Sequence, residues 1–326
     1  MSDTAGAVVF EGTQATTAEP DSVLLPGHDV PLGRYTVVRR LLPLRQRRMV
    51  GAWCFVDHFG PVDITGQPGM QVPPHPHTGL QTVTWLAEGE ILHTDSLGNS
   101  QPIRPGQLNL MSSGAGISHS EQSPPERPPH MHGLQLWVAL PEHARHDEPR
   151  FDHYTDLPQL HVGDAIVTVV VGEMGAAASP ALVHTPLLGA EIRLEGAGQV
   201  SLSLRPDFEH AVLVMDGDTD VEGTQLGAGS LLYLGAGLDE ITIEAAAPSR
   251  LFLLGGQPFD EPLVMWWNFV GRTHEDIAQA RADWMSETRH SRFGTVQGCV
   301  DDPLPAPEMP TNVRLKARDR FGQTVG

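Results

Sequence analysis

Four side chains able to hold a metal fall in two short pairs, His75-Pro76-His77 and His119-Ser120-Glu121. Residues two apart on an extended strand point to the same side, so each pair can aim both side chains into one cavity once the two strands are brought together. Three neutral imidazoles and one carboxylate suit a divalent first-row metal and leave coordination positions open for substrate or oxygen. A single His-x-His pair would carry little weight in a chain with 16 histidines. The second pair, approached through the flexible Gly114-Ala115-Gly116, is what makes a metal site of these residue types.

The elements that must position the pairs are short strands. Apolar runs at 50–57, 82–86, 91–95, 108–111 and 134–140 are separated by Glu88-Gly89-Glu90, Leu97-Gly98-Asn99-Ser100 and Arg104-Pro105-Gly106-Gln107. Each separator has the turn chemistry that reverses a chain, and strand and turn at this pitch build a jelly-roll β-barrel. The texture recurs at 166–171, 187–194, 200–204, 212–215, 231–234, 241–243 and 251–254, as a duplicated barrel would. The expectation is an all-β chain of two tandem barrels. Residues 1–28 read as a mobile leader, 29–145 as an N-terminal domain with the metal site, 146–290 as a second domain without metal, and 291–326 as an extended tail. One helix stands out near the C-terminus: Thr273 and Asp276 form a capping box, and Ile277, Ala280, Arg281 and Trp284 recur at helical spacing.

Composition narrows the function. At 326 residues the chain can bury two cores, and a net charge of −19 disfavours direct nucleic-acid binding and anionic membranes. Two cysteines, Cys54 and Cys299, make no disulfide framework, which fits a reducing cytoplasm. Neither a signal-peptide pattern nor a membrane-length apolar run is present. Five arginines between Arg39 and Arg48 read as a solvated strand edge.

The remaining histidines divide by context. His93 and Asp95 alternate on a strand and read as supports or wall of the same cavity. Pro128 and Pro129 place His130 in a loop, so His130 and His132 are not taken as ligands, and His58 is read as fixing the turn at Gly60-Pro61. In the second barrel Asp207, Glu209 and His210 occupy the place of the first ligand pair, but no later His-x-Glu accompanies them. No second metal is expected, and Asp207 and Glu209 read as a solvated turn.

The run His75-Pro-His-Thr-Gly-Leu-Gln-Thr-Val-Thr84, with Glu88-Gly89, His93-Thr-Asp-Ser96, Pro105-Gly106, Gly114-x-Gly116 and His119-Ser-Glu121, closely resembles the signature of pirins, members of the cupin superfamily. Asp57-His-Phe-Gly-Pro61, Gly133-Leu-Gln-Leu-Trp-Val-Ala-Leu-Pro141 and Gly255-Gly-Gln-Pro258 are similar to further pirin segments. The resemblance implies two cupin barrels face to face, with one mononuclear iron, Fe(2+), or another divalent first-row metal, on His75, His77, His119 and Glu121. It also implies a dioxygenase that opens a flavonol ring, of the quercetin 2,3-dioxygenase type, with a small aromatic substrate, O2, and Glu121 as catalytic base. The alternative role is a non-enzymatic, iron-dependent regulator acting through a protein partner. Where the family often ends Gly-Pro-Phe-Val-Met-Asn-Thr, this chain reads Trp266-Trp-Asn-Phe-Val-Gly-Arg-Thr273.

Overall fold

The structure, a computed structural model, describes residues 22–325. Nearly all of its regular structure is antiparallel sheet, arranged as two barrels. In the first, a seven-stranded sheet runs in the order Arg150–Tyr154, Leu108–Ser112, Leu80–Glu88, His130–Ala139, Trp53–Asp63, Thr36–Leu42, His28–Leu32. A four-stranded sheet, Gln71–His77, Ile117–Gln122, Ile91–Asp95, Ser100–Ile103, packs on it through a core that joins Val38, Phe59, Leu86 and Met131 to Val72, Ile91 and Ile103. The second barrel repeats the plan: Ser230–Gly235, Glu209–Asp216, Ser249–Gly256, Leu187–Leu194 and Ala165–Met174 form the centre of its large sheet, and Gly198–Ser203 and Glu240–Ala245 belong to its small one.

The central strands of the two large sheets are buried on both faces. Along Glu209–Asp216, Ala211, Leu213 and Met215 join the core shared between barrels, whereas Val212 and Val214 enter the core of their own barrel. The same alternation sends Val83, Trp85 and Ala87 into the shared core and leaves Thr82 and Thr84 buried on the opposite face. Covered on both sides, Ala211 to Met215 becomes a continuous apolar run, whereas Leu80–Glu88 keeps Thr82 and Thr84 on the face turned into its own barrel.

Three expectations change. Residues 1–21 of the leader lie outside the described residues, but Val23–Leu25 is a strand paired with Leu231–Tyr233, an edge strand given by the start of the chain to the second barrel. The first domain does not stop at 145, because Arg150–Tyr154 pairs with Leu108–Ser112 and completes its large sheet. Residues 264–293 return to the first barrel: Val270 N–H donates to Thr78 O at 3.0 Å and the Ser118 hydroxyl donates to Phe293 O at 2.9 Å. The helix His274–Met285 has its capping box, with Thr273 Oγ1 accepting from Asp276 N–H, and buries Ile277, Ala280 and Trp284. A further turn of helix, His290–Phe293, lies in the expected tail.

Glu209 is the largest departure: it is not in a solvated turn but fully buried between the barrels. Its carboxylate accepts from Gly51 N–H at 2.7 Å and from the Tyr233 hydroxyl at 3.1 Å, with Arg47 at 3.6 Å and Arg320 at 3.5 Å. Gly51 is needed here, since its φ is +51° and a Cβ would stand 2.6 Å from the Cα of Gly256. A buried carboxylate is tolerated only while its partners remain. Glu209→Ala, which strands buried Arg47, should therefore cost about 3 kcal/mol, and Glu209→Gln, which keeps an acceptor, should cost less. Urea denaturation followed by tryptophan fluorescence measures both, and an alanine variant as stable as the parent would refute the assignment.

Candidate metal centre

The strand Gln71–His77 lies at the edge of the small sheet, where the missing N–H groups of Pro73, Pro74 and Pro76 cost least. It pairs antiparallel with Ile117–Gln122, which sets His119 opposite His75 and Ile117 opposite His77. A bulge between His119 and Glu121 shifts the register and leaves Glu121 lining the cavity with His75 and His77. All four side chains are buried. The ligating atoms of His75, His77 and His119 lie within 4.8 Å of one another, and His77 Nε2 and His119 Nε2 are 3.0 Å apart. Nitrogens bound about 2 Å from one metal ion stand about 3 Å from each other, so the spacing fits a shared cation.

The hydrogen bonds select tautomers that free the right atoms. His75 Nδ1–H donates to Pro73 O at 2.9 Å, which turns the lone pair of Nε2 to the cavity. Asp95 Oδ2 accepts from His93 Nε2–H at 3.1 Å, so His93 Nδ1 is left to accept from His119 Nδ1–H at 3.2 Å. His119 Nε2 is then unprotonated and faces His77. Asp95 is itself held by Leu97 N–H at 2.9 Å and by the Asn99 amide. Burial pushes His75 down to about 4 and His77 and His119 well below the ordinary histidine range, with the neighbouring imidazoles adding to the effect. Three uncharged imidazoles at neutral pH are the form in which histidine binds metal.

Glu121 stands apart from this compact group. The Thr84 hydroxyl lies 3.3 Å from Glu121 Oε1 and 2.9 Å from Gln135 Oε1, and its one proton favours the shorter contact. The carboxylate is thus weakly held. Burial raises its pKa, and His93 and Thr84 only partly offset the rise.

The other sequence candidates separate cleanly. His93 is not in the cavity wall but behind His119, stacked on Phe151 at 4.3 Å. His130 opens the strand His130–Ala139 rather than lying in a loop, and His132 Nε2 meets His58 Nε2 at 2.9 Å on the side facing the second barrel. Burial, reinforced by His132 and Arg39, drives His58 down to about 3.

Residues 35–138 match the pirin family and residues 189–291 match the pirin C-terminal cupin domain. The chain belongs to the pirin family. Human pirin is 31% identical over 256 residues, 76% of this chain and 86% of that protein. A Pseudomonas aeruginosa pirin relative provisionally named quercetin 2,3-dioxygenase is 43% identical over 282 residues, 86% of this chain and 89% of its own. The crystal structure of an Acinetobacter baumannii quercetin 2,3-dioxygenase is 44% identical and superposes with a TM-score of 0.86, covering 90% of this chain and 98% of that one. A pirin of Escherichia coli solved with nickel(II) shares the fold at 21% identity and a TM-score of 0.58, covering 73% of this chain and 100% of that one. A cupin barrel with this imidazole cluster is suited to a divalent metal.

In this pirin the cluster opens on a cavity of about 540 Å³. Trp137 stacks on Phe55 at 3.9 Å and meets His77 edge-on at 5.2 Å, while Trp266 and Trp267 form another part of the wall. Arg40 is neutralised at the rim by two hydrogen bonds to Asp57, at 2.9 and 2.8 Å. Sequence reasoning missed these walls. The Trp266-Trp267 doublet, in a chain only 6% aromatic, was the available signal.

The relay from Asp95 through His93 to His119 yields a test. His93→Phe keeps the stack on Phe151 but removes the acceptor for His119 Nδ1–H, so cobalt(II) affinity should fall about tenfold to a hundredfold. His130→Ala should leave it unchanged. Spectroscopic cobalt titration against a chelator measures both, and equal affinities in parent and His93→Phe would refute the relay.

Proposed function

We propose that this chain is a metal-dependent dioxygenase that opens a flavonol, in the manner of quercetin 2,3-dioxygenase, with iron(II) as the working metal. The reading rests on one observation above the others: His75, His77 and Glu121 face a cavity part of whose wall is made by Phe55, Trp137, Trp266 and Trp267. Trp137, Trp266 and Trp267 give the cavity an indole surface against which a planar polyphenol could pack, and a volume of about 540 Å³ is within the range for ligands of that size. Names borne by relatives at 43 and 44% identity support the same reaction. His75, His77 and His119 would hold the metal, with Glu121 as fourth ligand. A divalent ion there would supply Lewis acidity and the means of activating dioxygen.

The chain's own part is to orient the substrate and move its proton. Glu121, raised in pKa by burial and weakly held by Thr84, is suited to take the proton of a flavonol hydroxyl at the cluster.

The protein reconstituted anaerobically with iron(II) and then given quercetin in air should bleach the flavonol absorbance, with oxygen uptake and carbon monoxide release. Full metal loading without any of the three would overturn the proposed substrate. His75→Ala and His119→Ala should each lower metal content, whereas Glu121→Gln should slow turnover about a hundredfold or more while losing less metal. Metal analysis showing full loading in both histidine variants would refute the ligand assignment.

A further inference from the structure

The second barrel has a cavity of its own, of about 240 Å³, and one polar side chain fully buried in its wall. Alternation along Glu209–Asp216 turns Glu209 towards the first barrel and His210 into the interior of the second. Neither ring nitrogen of His210 has a hydrogen-bond partner. A buried imidazole left in that state costs stability unless something fills the space beside it. The other buried walls are apolar, Met174, Leu188, Leu204 and Phe208, and the exposed Glu173, Ser203 and Arg205 border the mouth. At the mouth, Arg205 lies over the Phe208 ring at 4.2 Å and is tied to Asp207 by two hydrogen bonds, so its charge is already answered outside the cavity.

We propose that this cavity binds a small neutral phenol, one aromatic ring bearing a hydroxyl, with the hydroxyl on His210 and the ring against Phe208 and Leu188. The chemistry of each wall points to that class. A metal ion is disfavoured because a single imidazole faces the space; among the described residues the one group of three or more metal-competent side chains is His75, His77 and His119. An anion is disfavoured because Arg205 is committed to Asp207. Burial lowers His210 to about 4, so at neutral pH it is an uncharged ring with one donor and one acceptor. A hydroxyl, which both donates and accepts, complements either nitrogen. Size sets the rest: an apolar cavity of about 150 Å³ already admits benzene, so this one accommodates a substituted single ring and is too small for a three-ring flavonol. The site is independent of the chemistry in the first barrel.

The test uses the full, metal-loaded chain with its methionine methyls labelled by carbon-13. Met174 borders this cavity and Met265 borders the first, so the two report separately on where a ligand sits. Titration with phenol should shift the Met174 methyl saturably, with toluene binding about tenfold more weakly because it leaves His210 unpaired. His210→Leu should weaken phenol about tenfold and leave toluene unchanged, while His210→Gln, which keeps a donor and an acceptor, should retain phenol. A Met174 signal that does not move with phenol, or equal affinity for phenol and toluene in the parent protein, would overturn the proposal without recourse to any variant. So would a His210→Leu protein that binds phenol as well as the parent.

Discussion

Two large sheets packed against each other leave their central strands with no face turned to water, and most of this molecule follows from that constraint. When both sides of a strand are covered, alternation no longer separates core from solvent; it separates one barrel from the other. Trp85 reaches across, its Nε1–H donating to Glu191 of the second barrel at 3.0 Å, while Thr84 points inward to Glu121. Glu209 reaches back to Gly51 of the first barrel, while His210 points into its own cavity. Polar residues on such strands need a partner or a ligand, because the desolvation of each costs more than a typical hydrogen bond contributes. The polar groups that do occur there therefore mark either the seam between barrels or a cavity.

The metal centre is built by the opposite device, an edge. Three prolines are admissible in Gln71–His77 because one side of the strand has no ladder to complete, and they stiffen the backbone on either side of His75. The neighbouring strand supplies the other candidate ligands and, through its bulge, places His119 and Glu121 in different surroundings. His119 is locked by the relay to Asp95, whereas Glu121 has only a shared hydroxyl. One rigid donor set beside one loosely held carboxylate is the division that the proposed roles, holding a metal and moving a proton, would require.

What could be read from the chain beforehand was local. The period of two in His75-x-His77 and His119-x-Glu121 placed both pairs on strands facing one cavity, the turn residues marked the strand boundaries, and Thr273 with Asp276 announced the helix. What escaped depends on partners far along the chain. Nothing near Glu209 signals that Gly51 and Arg320 will surround it; an acidic residue after Arg205-Pro206-Asp207 looks like any exposed turn. His93 sits at the right period for a cavity wall, and only the three-dimensional pairing of Ile91–Asp95 with Ile117–Gln122 reveals that it stands behind His119. The swapped strand Val23–Leu25 is three residues long, too short for any periodicity to identify.

The C-terminal segment connects the edge strand of the metal centre to the seam between the barrels. Leu304 N–H donates to Pro74 O at 2.8 Å, satisfying a carbonyl beside His75 that the edge strand leaves open, and Leu304 forms part of the cavity wall. Trp284 Nε1–H holds the Leu304 carbonyl in turn at 2.8 Å. Further on, Arg318 exchanges two backbone hydrogen bonds with Leu263, each 2.9 Å, and brings Arg320 to Glu209. The ion pair Arg34–Asp301, with its arginine half exposed, adds at most about 1 kcal/mol to this path. The buried hydrogen bonds and the Glu209 cluster must therefore do most of the holding, since each would leave a desolvated group unpaired if broken. The same stretch of chain thus caps the open edge of the strand carrying His75 and His77 and brings Arg320 to the seam between barrels.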